Sequence, residues 1–313
     1  MKPTPSFLPW LALFTIYVVW GSTYLAIRIV VHDMPPFAAA AVRFLVAGLI
    51  MGLAAAHFDR GQGWPTRRQW LDYGLVGLLL LAFGNGLVMW AERTVPSGIA
   101  ALVVATVPLW LTLMEGVLSR GASWTARAWL GIAIGLAGVA FVAEPGGADF
   151  AAQWPGILAL QVAALTWCAG SLYVKRVPHK LPVVSASAVQ MLVGGAALVL
   201  ESLAKGEDWS RLLSAPPAAW GGLLYLVIAG SLIGFTAFAY CLTVMPASVV
   251  GTYAYVNPVV AVALGFLILD EPLTRGVLWG GAMIVLAVVL ATTGTRPVQS
   301  PSTPQAEPAR KAA

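Results

Sequence analysis

Polar and aromatic side chains that could bind a solute lie inside long apolar runs of this sequence. Hydroxyl and amide groups can hydrogen-bond a solute there, and indole or phenol rings can stack on it or hold a cation. Polar groups within an apolar run are costly unless they face protein or water, so they mark the interior side of each helix. The predicted cavity residues are Trp20, Thr23, Tyr24, Asn85, Trp90, Thr106, Trp110, Trp167, Ser171, Tyr240, Tyr253 and Asn257.

Residue patterns typical of catalysis are missing from the sequence. No G-x-x-x-x-G-K-[ST] loop is present to cradle a nucleotide phosphate, and the three histidines come with no H-E-x-x-H motif or carboxylate cluster. Ser22 and Ser97 lie outside any G-x-S-x-G context. We therefore predict no catalytic residue, no metal site, no cofactor and no nucleotide hydrolysis.

Charged side chains are few within the apolar runs, and Arg43 and Glu115 are the two that could take part in transport. A central Arg costs roughly 2.5 to 3.5 kcal/mol in a membrane helix, so Arg43 must face a partner or water. Arg43 could hold a carboxylate of a bound solute, or it could have a structural role near the mouth of a cavity. Glu115 is the one fair candidate for a buried group that takes up protons, although solvation near the membrane surface also explains a Glu there. Both questions stay open.

Pro108 and Pro258 are two prolines at matching places in apolar runs. A proline ring removes a helical hydrogen bond and frees the carbonyl four residues earlier, here that of Val104 or Ala254. Two helix interruptions of this kind indicate either a hinge that opens and closes a binding site or kinks that the packing requires.

The elements that position these residues follow from composition. The chain has 313 residues, of which 59% are hydrophobic and 10% are charged, whereas soluble proteins have about 25% charged residues. Mean hydropathy is +0.82. The predicted fold class is an all-α polytopic membrane protein in a lipid bilayer, with about 20 apolar residues per span. Breaks at Pro, Gly and charged residues predict ten transmembrane helices, near 8–30, 35–57, 70–91, 97–118, 127–143, 154–174, 182–204, 218–241, 245–269 and 274–293.

The distribution of Lys and Arg predicts the orientation. With the N-terminus inside, twelve of the 18 basic residues fall on inner segments and five on outer ends, and Arg43 lies within a span. This fits the positive-inside rule and predicts a multi-pass protein with both termini in the cytoplasm. The net charge of +5 is spread over helix ends and not along one face, which argues against nucleic-acid binding.

The sequence contains an internal repeat. Shifting residues 20–48 by 147 gives eleven identities in 29 positions, among them Trp20 with Trp167 and Pro35 with Pro182. A shift of 150 pairs Gly84 with Gly234 and Pro108 with Pro258. Each repeat holds five spans, and because five is odd the two must be inverted in the membrane, as in transporters whose site lies near the midplane. The predicted divisions are a cytoplasmic N-terminus (1–7), a first repeat (8–143), an outer linker (144–153), a second repeat (154–293) and a disordered cytoplasmic tail (294–313).

Several motifs resemble those of the EamA-type family of the drug/metabolite transporter superfamily. Glu271-Pro272-Leu273 is similar to the acidic turn before the last helix of that family. The resemblance covers essentially residues 8–293, and it implies a ten-helix inner-membrane carrier with two inverted repeats, whose helices 1, 3, 4, 6, 8 and 9 line the central cavity. The other matching stretches are Trp20-Gly21-Ser22-Thr23-Tyr24, Pro35-Pro36, Arg43-Phe44, 95–101, 105–109 and Tyr253-Ala254-Tyr255-Val256-Asn257-Pro258.

The preferred interpretation is a secondary transporter of the inner membrane that exports amino acids or related small metabolites by alternating access. An aromatic-lined cavity with few fixed charges suits neutral or zwitterionic solutes and disfavours phosphorylated ones. The alternative within transport is efflux of cationic lipophilic drugs, held by cation–π contacts. From another class, a membrane-embedded enzyme or a scaffold stays open. Small-residue pairs such as Gly48 and Gly52 favour packing within one chain, so we expect a monomer rather than a dimer.

Overall fold

The computed structural model describes residues 7–59, 64–118, 126–144, 149–245 and 247–294. The part it describes is helical and contains no strand. Residues 1–6, residues 145–148 of the predicted linker and residues 295–313 of the predicted tail lie outside the described residues. The elements are α1 (Leu8–Asp33), α2 (Pro36–Phe58), α3 (Arg67–Gly77), π1 (Leu78–Gly86), α4 (Leu87–Ala91), α5 (Ser97–Val104), α6 (Val107–Leu118), α7 (Ala126–Ala143), α8 (Phe150–Arg176), α9 (Val183–Ala204), α10 (Ser210–Leu213), α11 (Pro217–Tyr225), π2 (Leu226–Ile233), α12 (Gly234–Val244), α13 (Ala247–Val250), α14 (Tyr253–Leu269) and α15 (Arg275–Gly294).

Length and composition make seven of the described helical stretches long and apolar enough to cross a membrane. Three shorter apolar stretches, Trp129–Ala143, Tyr253–Leu269 and Arg275–Leu290, lie in α7, α14 and α15. The helix bounds agree with the predicted spans to within four residues at nearly every end, because proline and charge mark those ends. Large apolar side chains on the outer surface, such as Leu53 and Leu200, suit contact with lipid.

Local sequence accounts for several helix starts. Pro36 and Pro217 lie in the first turn of α2 and α11, where proline costs no helical hydrogen bond. Thr66 caps the start of α3 in a reciprocal arrangement with Gln69. The Thr66 hydroxyl accepts from the backbone N–H of Gln69 at 3.3 Å, and the Gln69 side-chain oxygen accepts from the backbone N–H of Thr66 at 2.9 Å.

Two π-helical segments interrupt the third and eighth predicted spans. A shift of 150 moves π1 onto residues 228–236, so π1 and π2 occupy overlapping positions in the two repeats. The sequence contains no proline in these segments, and the breaks that we predicted were at Pro108 and Pro258 alone. π-helical turns are rare and often accompany functional sites, because they leave backbone groups without their usual partners.

The two prolines are accommodated differently. Pro108 is the second residue of α6, and the turn that separates α5 from α6 lies just before it, at Ala105 and Thr106. A proline in a first turn needs no amide hydrogen, so α6 runs on undisturbed. Pro258 lies inside α14, which continues through it, and the nearby turn is at Gly251 and Thr252. The two repeats therefore differ in where the helix is interrupted.

Helices from the two halves of the chain pack closely against each other. α2 packs along α9, α7 along α15 and α1 along α14. An added Cβ at Gly48 would lie 3.0 Å from Leu192, and one at Gly195 would lie 2.9 Å from Leu45. Gly48 pairs with Gly195, and Leu45 with Leu192, under the shift of 147, so this contact is reciprocal. Small residues at these positions let the two backbones approach.

We call the end of the bundle at which α1 begins the proximal end, and the opposite end the distal end. Two carboxylates at the distal end cap helices of the first half. Glu271 accepts from the amide nitrogen of Ser97 at 2.7 Å and from that of Gly98 at 3.0 Å, at the start of α5. Glu207 accepts from the Phe37 and Ala38 amide nitrogens at 3.2 and 2.9 Å, at the start of α2. Both satisfy free N–H groups and complement the positive helix terminus.

Candidate functional site

A cavity of about 120 Å³ lies between α1, α8, α14 and the interruptions at π1 and α5/α6. A single water needs about 10 to 15 Å³ by the same kind of measure, so this space is large enough for a small solute. Its lining is mainly apolar and aromatic, with a few polar groups, which is typical of small-molecule sites. The predicted residues that line it are Trp20, Thr23, Tyr24, Asn85, Trp167, Tyr253 and Asn257, together with Arg43 and Pro258.

Two tryptophans that correspond in the repeat lie on the wall of this cavity. Trp20 packs on Gly234, where an added Cβ would lie 2.9 Å from the indole Cδ1 and closer still to Nε1, and Trp167 packs on Gly84, where an added Cβ would lie 3.5 Å from the indole Cε3. Trp20 pairs with Trp167 under the shift of 147, and Gly84 pairs with Gly234 under the shift of 150. Each indole thus lies on a glycine of the other half of the chain, beside a π-helical segment. The missing side chains at these glycines leave room for the two rings.

Trp20 is also the centre of an aromatic cluster. Its ring centroid lies 5.2 Å from that of Tyr253, nearly perpendicular to it, and 5.6 Å from that of Phe235. The Trp20 Nε1 donates at 3.2 Å to the carbonyl of Gly230 in π2. This hydrogen bond fixes the orientation of the indole and gives the Gly230 carbonyl of the π-helical segment a partner. The aromatic faces supply an apolar wall with a small number of polar edges.

Arg43 brings a cation to the cavity. The side chain is buried, and its Nε donates to the Ser231 hydroxyl at 3.0 Å. Its Cζ lies 4.7 Å from the ring centroid of Phe44. Nη1 has no hydrogen-bond partner among the described residues, and no carboxylate within the described ranges forms an ion pair with it. A buried guanidinium with an unused donor can accept an anionic group of a solute.

The amide and hydroxyl groups of the lining mostly bond to nearby backbone. The Asn257 amide nitrogen donates to the Tyr17 and Tyr253 carbonyls at 3.2 and 3.1 Å, with the amide oriented by these acceptors. The Thr23 hydroxyl donates to the Trp20 carbonyl at 2.6 Å, and the Asn85 Nδ2 donates weakly to the Leu80 carbonyl at 3.4 Å. The Asn85 interaction is the longest, so this amide is the most easily released to a solute.

The other predicted site residues lie outside the cavity lining. Trp110 donates to Gln161 at 2.9 Å, and Gln161 in turn donates to Thr106 at 3.5 Å, so both residues belong to a network between α6 and α8. Trp90 lies under the Arg93 guanidinium, 5.2 Å from its Cζ. Ser171, Tyr240 and Pro108 are also outside the lining.

Glu115 is at the proximal end, where it accepts from Lys175 at 2.7 Å, with 49% of the Glu115 side chain and 64% of the Lys175 side chain exposed. Its solvation and its partner make it an ordinary surface ion pair. The sequence-based search overlooked a different carboxyl group, that of Glu92, which follows α4 at the distal end. Glu92 is fully buried, and neither of its carboxyl oxygens has a hydrogen-bond partner in the described part of the chain. Its position next to Arg93 at the end of a span made it resemble a surface charge.

The described residues contain no cluster of three or more His, Cys, Asp or Glu side chains that could hold a metal ion. The cavity therefore offers one cation, several amides and hydroxyls, and aromatic faces. Such a set can bind a small solute by hydrogen bonds and stacking.

Comparison with known proteins identifies the family. The model of the EamA-like transporter family matches residues 8–143 and again 154–293. The chain belongs to the EamA-like transporter family. It is 42% identical over 299 residues to the uncharacterized inner membrane transporter YedA of Escherichia coli K12, covering 93% of this chain and 94% of that protein. It is therefore a multi-pass transporter of the inner membrane.

More distant relatives of this EamA-like chain include a probable amino-acid metabolite efflux pump of Escherichia coli K12, which is 25% identical over 90% of this chain and 93% of that protein. A solved crystal structure of a protein 22% identical to this chain has a TM-score of 0.63 and covers 93% of this chain and 99% of its own. The likeness to that structure concerns the fold alone.

Proposed function

We propose that this EamA-like transporter exports amino acids or related small, neutral or zwitterionic metabolites by alternating access through the cavity around Trp20 and Trp167. In this proposal ten helices form two inverted five-helix repeats, and both termini lie in the cytoplasm. The distal end then faces the outside. The carrier works as a secondary transporter and as a monomer.

Reciprocal contacts support the inverted repeats. Trp20 on Gly234 corresponds to Trp167 on Gly84, and each contact joins one half of the chain to the other. In two inverted repeats, an approximate two-fold axis in the membrane plane would relate such contacts, and both indoles line the same cavity. A site on this axis can be exposed first at one end and then at the other by similar movements of the two halves.

The observation that carries the substrate assignment is the buried Arg43 with its unpaired Nη1. A lone buried cation is costly, and a carboxylate from the solute would offset that cost with charge-assisted hydrogen bonds. Amino acids bring such a carboxylate together with side chains that suit the aromatic wall. The similarity to a probable amino-acid metabolite efflux pump supports the same substrate class.

Efflux of cationic lipophilic drugs is the second candidate. The cluster of Trp20, Phe235 and Tyr253 favours it, because aromatic faces attract cations. Arg43 disfavours it, since a guanidinium in the lining repels a second positive charge in the same small cavity.

The test is competition between an amino acid and its carboxamide for transport into proteoliposomes. We expect the amide, which has lost the negative charge, to compete about 10- to 100-fold less well, from the roughly 1.5 to 3 kcal/mol of a charge-assisted hydrogen bond. Arg43→Gln should remove this discrimination, whereas Arg93→Gln, the same change at an exposed site, should keep it. Equal competition by acid and amide in the wild type would refute the role of Arg43, and transport of cationic dyes alone would favour the second candidate.

A further inference from the structure

The buried carboxyl group of Glu92 lies outside the cavity lining and takes no part in the solute binding proposed above. It follows the apolar stretch Arg67–Ala91 at the distal end and is 0% exposed. An ionised carboxylate in such a place needs hydrogen bonds or a counter-ion, and neither oxygen has a hydrogen-bond partner among the described residues. The arrangement is suited to a neutral, protonated carboxyl group.

Arg28 is the cation that attracts the Glu92 carboxylate, but its hydrogen bond goes to the backbone. The Arg28 guanidinium donates to the backbone carbonyl of Glu92 and forms no ion pair with its carboxylate. The connection before α15 brings a second negative charge, Glu271, whose oxygens are occupied by the start of α5. Burial and then repulsion by Glu271 raise the pKa of Glu92 well above its usual range, and attraction by Arg28 opposes them.

The remaining elements around α4 add little charge. From α1, Tyr24 lies within electrostatic range of Glu92. The distal half of α8 has no titratable side chain, π1 has none, and α2 has only Arg43 there. The carboxyl group of Glu201 on α9 approaches π1: one of its oxygens lies 3.6 Å from where a Cβ on Gly86 would be, and Gly86 directly precedes α4.

The backbone of Arg43 lies deeper in the bundle than that of Glu92. Arg43 lies seven residues into α2, about 10 Å from the distal end at 1.5 Å per residue. The carboxylate and amino groups of an α-amino acid share one carbon atom, so a solute carboxylate at Arg43 leaves Glu92 free. Tyr24, which lines the cavity, lies within electrostatic range of Glu92.

We propose that Glu92 is a proton-binding site of the carrier, and that closure of the distal end takes up a proton at its carboxyl group. When the distal end opens, water reaches Glu92 and the proton leaves for the solution on that side. When the end closes, the carboxylate is desolvated beside Glu271 and must be protonated again. The ligand is therefore a hydrogen ion, and its site is at the distal end only, since the shift of 150 places Leu242 at the corresponding position.

The proposal rests on the proposed function for its effect on transport, but proton binding can be measured without transport. Infrared difference spectra of the purified protein, recorded between acidic and alkaline pH, report the carbonyl stretch of a protonated carboxyl group. We expect a band of this kind that persists to near-neutral pH in the wild type and in Glu115→Gln, and that is missing in Glu92→Gln. Absence of the band from the wild type, or its presence in Glu92→Gln, would overturn the proposal.

Flux gives the second readout. Counterflow of a radiolabelled amino acid, with equal pH on both sides, should fall in the wild type by up to about tenfold per pH unit once Glu92 loses its proton. In Glu92→Gln, which mimics the protonated group, the flux should no longer vary with pH, and Glu115→Gln should vary as the wild type does. A wild-type pH dependence that persists in Glu92→Gln would overturn the proposal. A protein that shows the infrared band but moves no amino acid would refute the proposed function and leave the proton site established.

Discussion

Replacement of Glu271 by Gln should loosen the distal end. The Glu271 carboxylate accepts two amide hydrogens and, at 3.0 Å, the Ser97 hydroxyl, so it holds the start of α5 to the connection before α15. A glutamine keeps one acceptor oxygen and removes the charge at the helix terminus. Its amide NH2 group would face the N–H of Gly98, so that two donors meet and one hydrogen bond is lost. A hydrogen bond to a charged group contributes about 1.5 to 3 kcal/mol, and the charge at the helix terminus adds about 0.3 to 1 kcal/mol.

In the proposed alternating-access cycle, a loss of about 2 kcal/mol from the form in which Glu271 caps α5 shifts the balance toward a form with an open distal end by about 30-fold, at 1.36 kcal/mol per tenfold change. The assay is alkylation of Ala101→Cys, a buried residue of the cavity lining, by a membrane-impermeant maleimide. The background carries Cys168→Ala and Cys241→Ala, which removes the two native thiols. We expect the labelling rate to rise by about 30-fold with Glu271→Gln and to stay unchanged with Glu115→Gln.

The same variant tests the link to Glu92. Repulsion by Glu271 raises the pKa of Glu92, so neutralising Glu271 should lower that pKa and move the pH dependence of flux to lower pH. A lower thermal midpoint with unchanged labelling of Ala101→Cys would refute the reasoning, because Glu271 would then support the fold without controlling closure.

Two further predictions concern the backbone of the cavity. Gly234→Ala should lower the stability by about 1 to 3 kcal/mol and reduce transport, because the new methyl group meets the Trp20 ring. The control is Gly221→Ala, which should change the thermal midpoint little because no atom lies within 4 Å of the added Cβ. Equal midpoints for the two variants would contradict the packing of Trp20. The double change Pro108→Ala and Pro258→Ala should slow counterflow while leaving the helical circular dichroism spectrum unchanged. An unchanged counterflow rate would show that the two prolines have no role in gating.

The sequence predicted the helices well because their ends depend on local features. Pro35 and Pro182 precede α2 and α9, and Thr66 with Gln69 begins α3. The internal repeat also singled out Trp20 and Trp167 in advance, and both line the cavity. The π-helical segments were not predictable, since a change from i+4 to i+5 bonding depends on packing against other helices and leaves no fixed residue pattern.

The polar site was predicted only in part, because the face of a helix that a side chain occupies depends on neighbours far along the chain. Trp110 was expected in the cavity, but Gln161 of α8 offers its indole an acceptor and holds it outside the lining. Glu92 was overlooked because its burial arises from helices that are distant along the chain, such as α1, α2 and α8, which pack around α4.

Counterflow in proteoliposomes shows directly whether this chain moves amino acids. Purified wild-type protein would be loaded with an unlabelled amino acid and offered a panel of radiolabelled amino acids, their carboxamides and a cationic lipophilic dye. The account predicts saturable, protein-dependent exchange of one or more amino acids, weak exchange of the matching amides and no movement of the dye. Exchange of the dye without any amino acid would contradict the account.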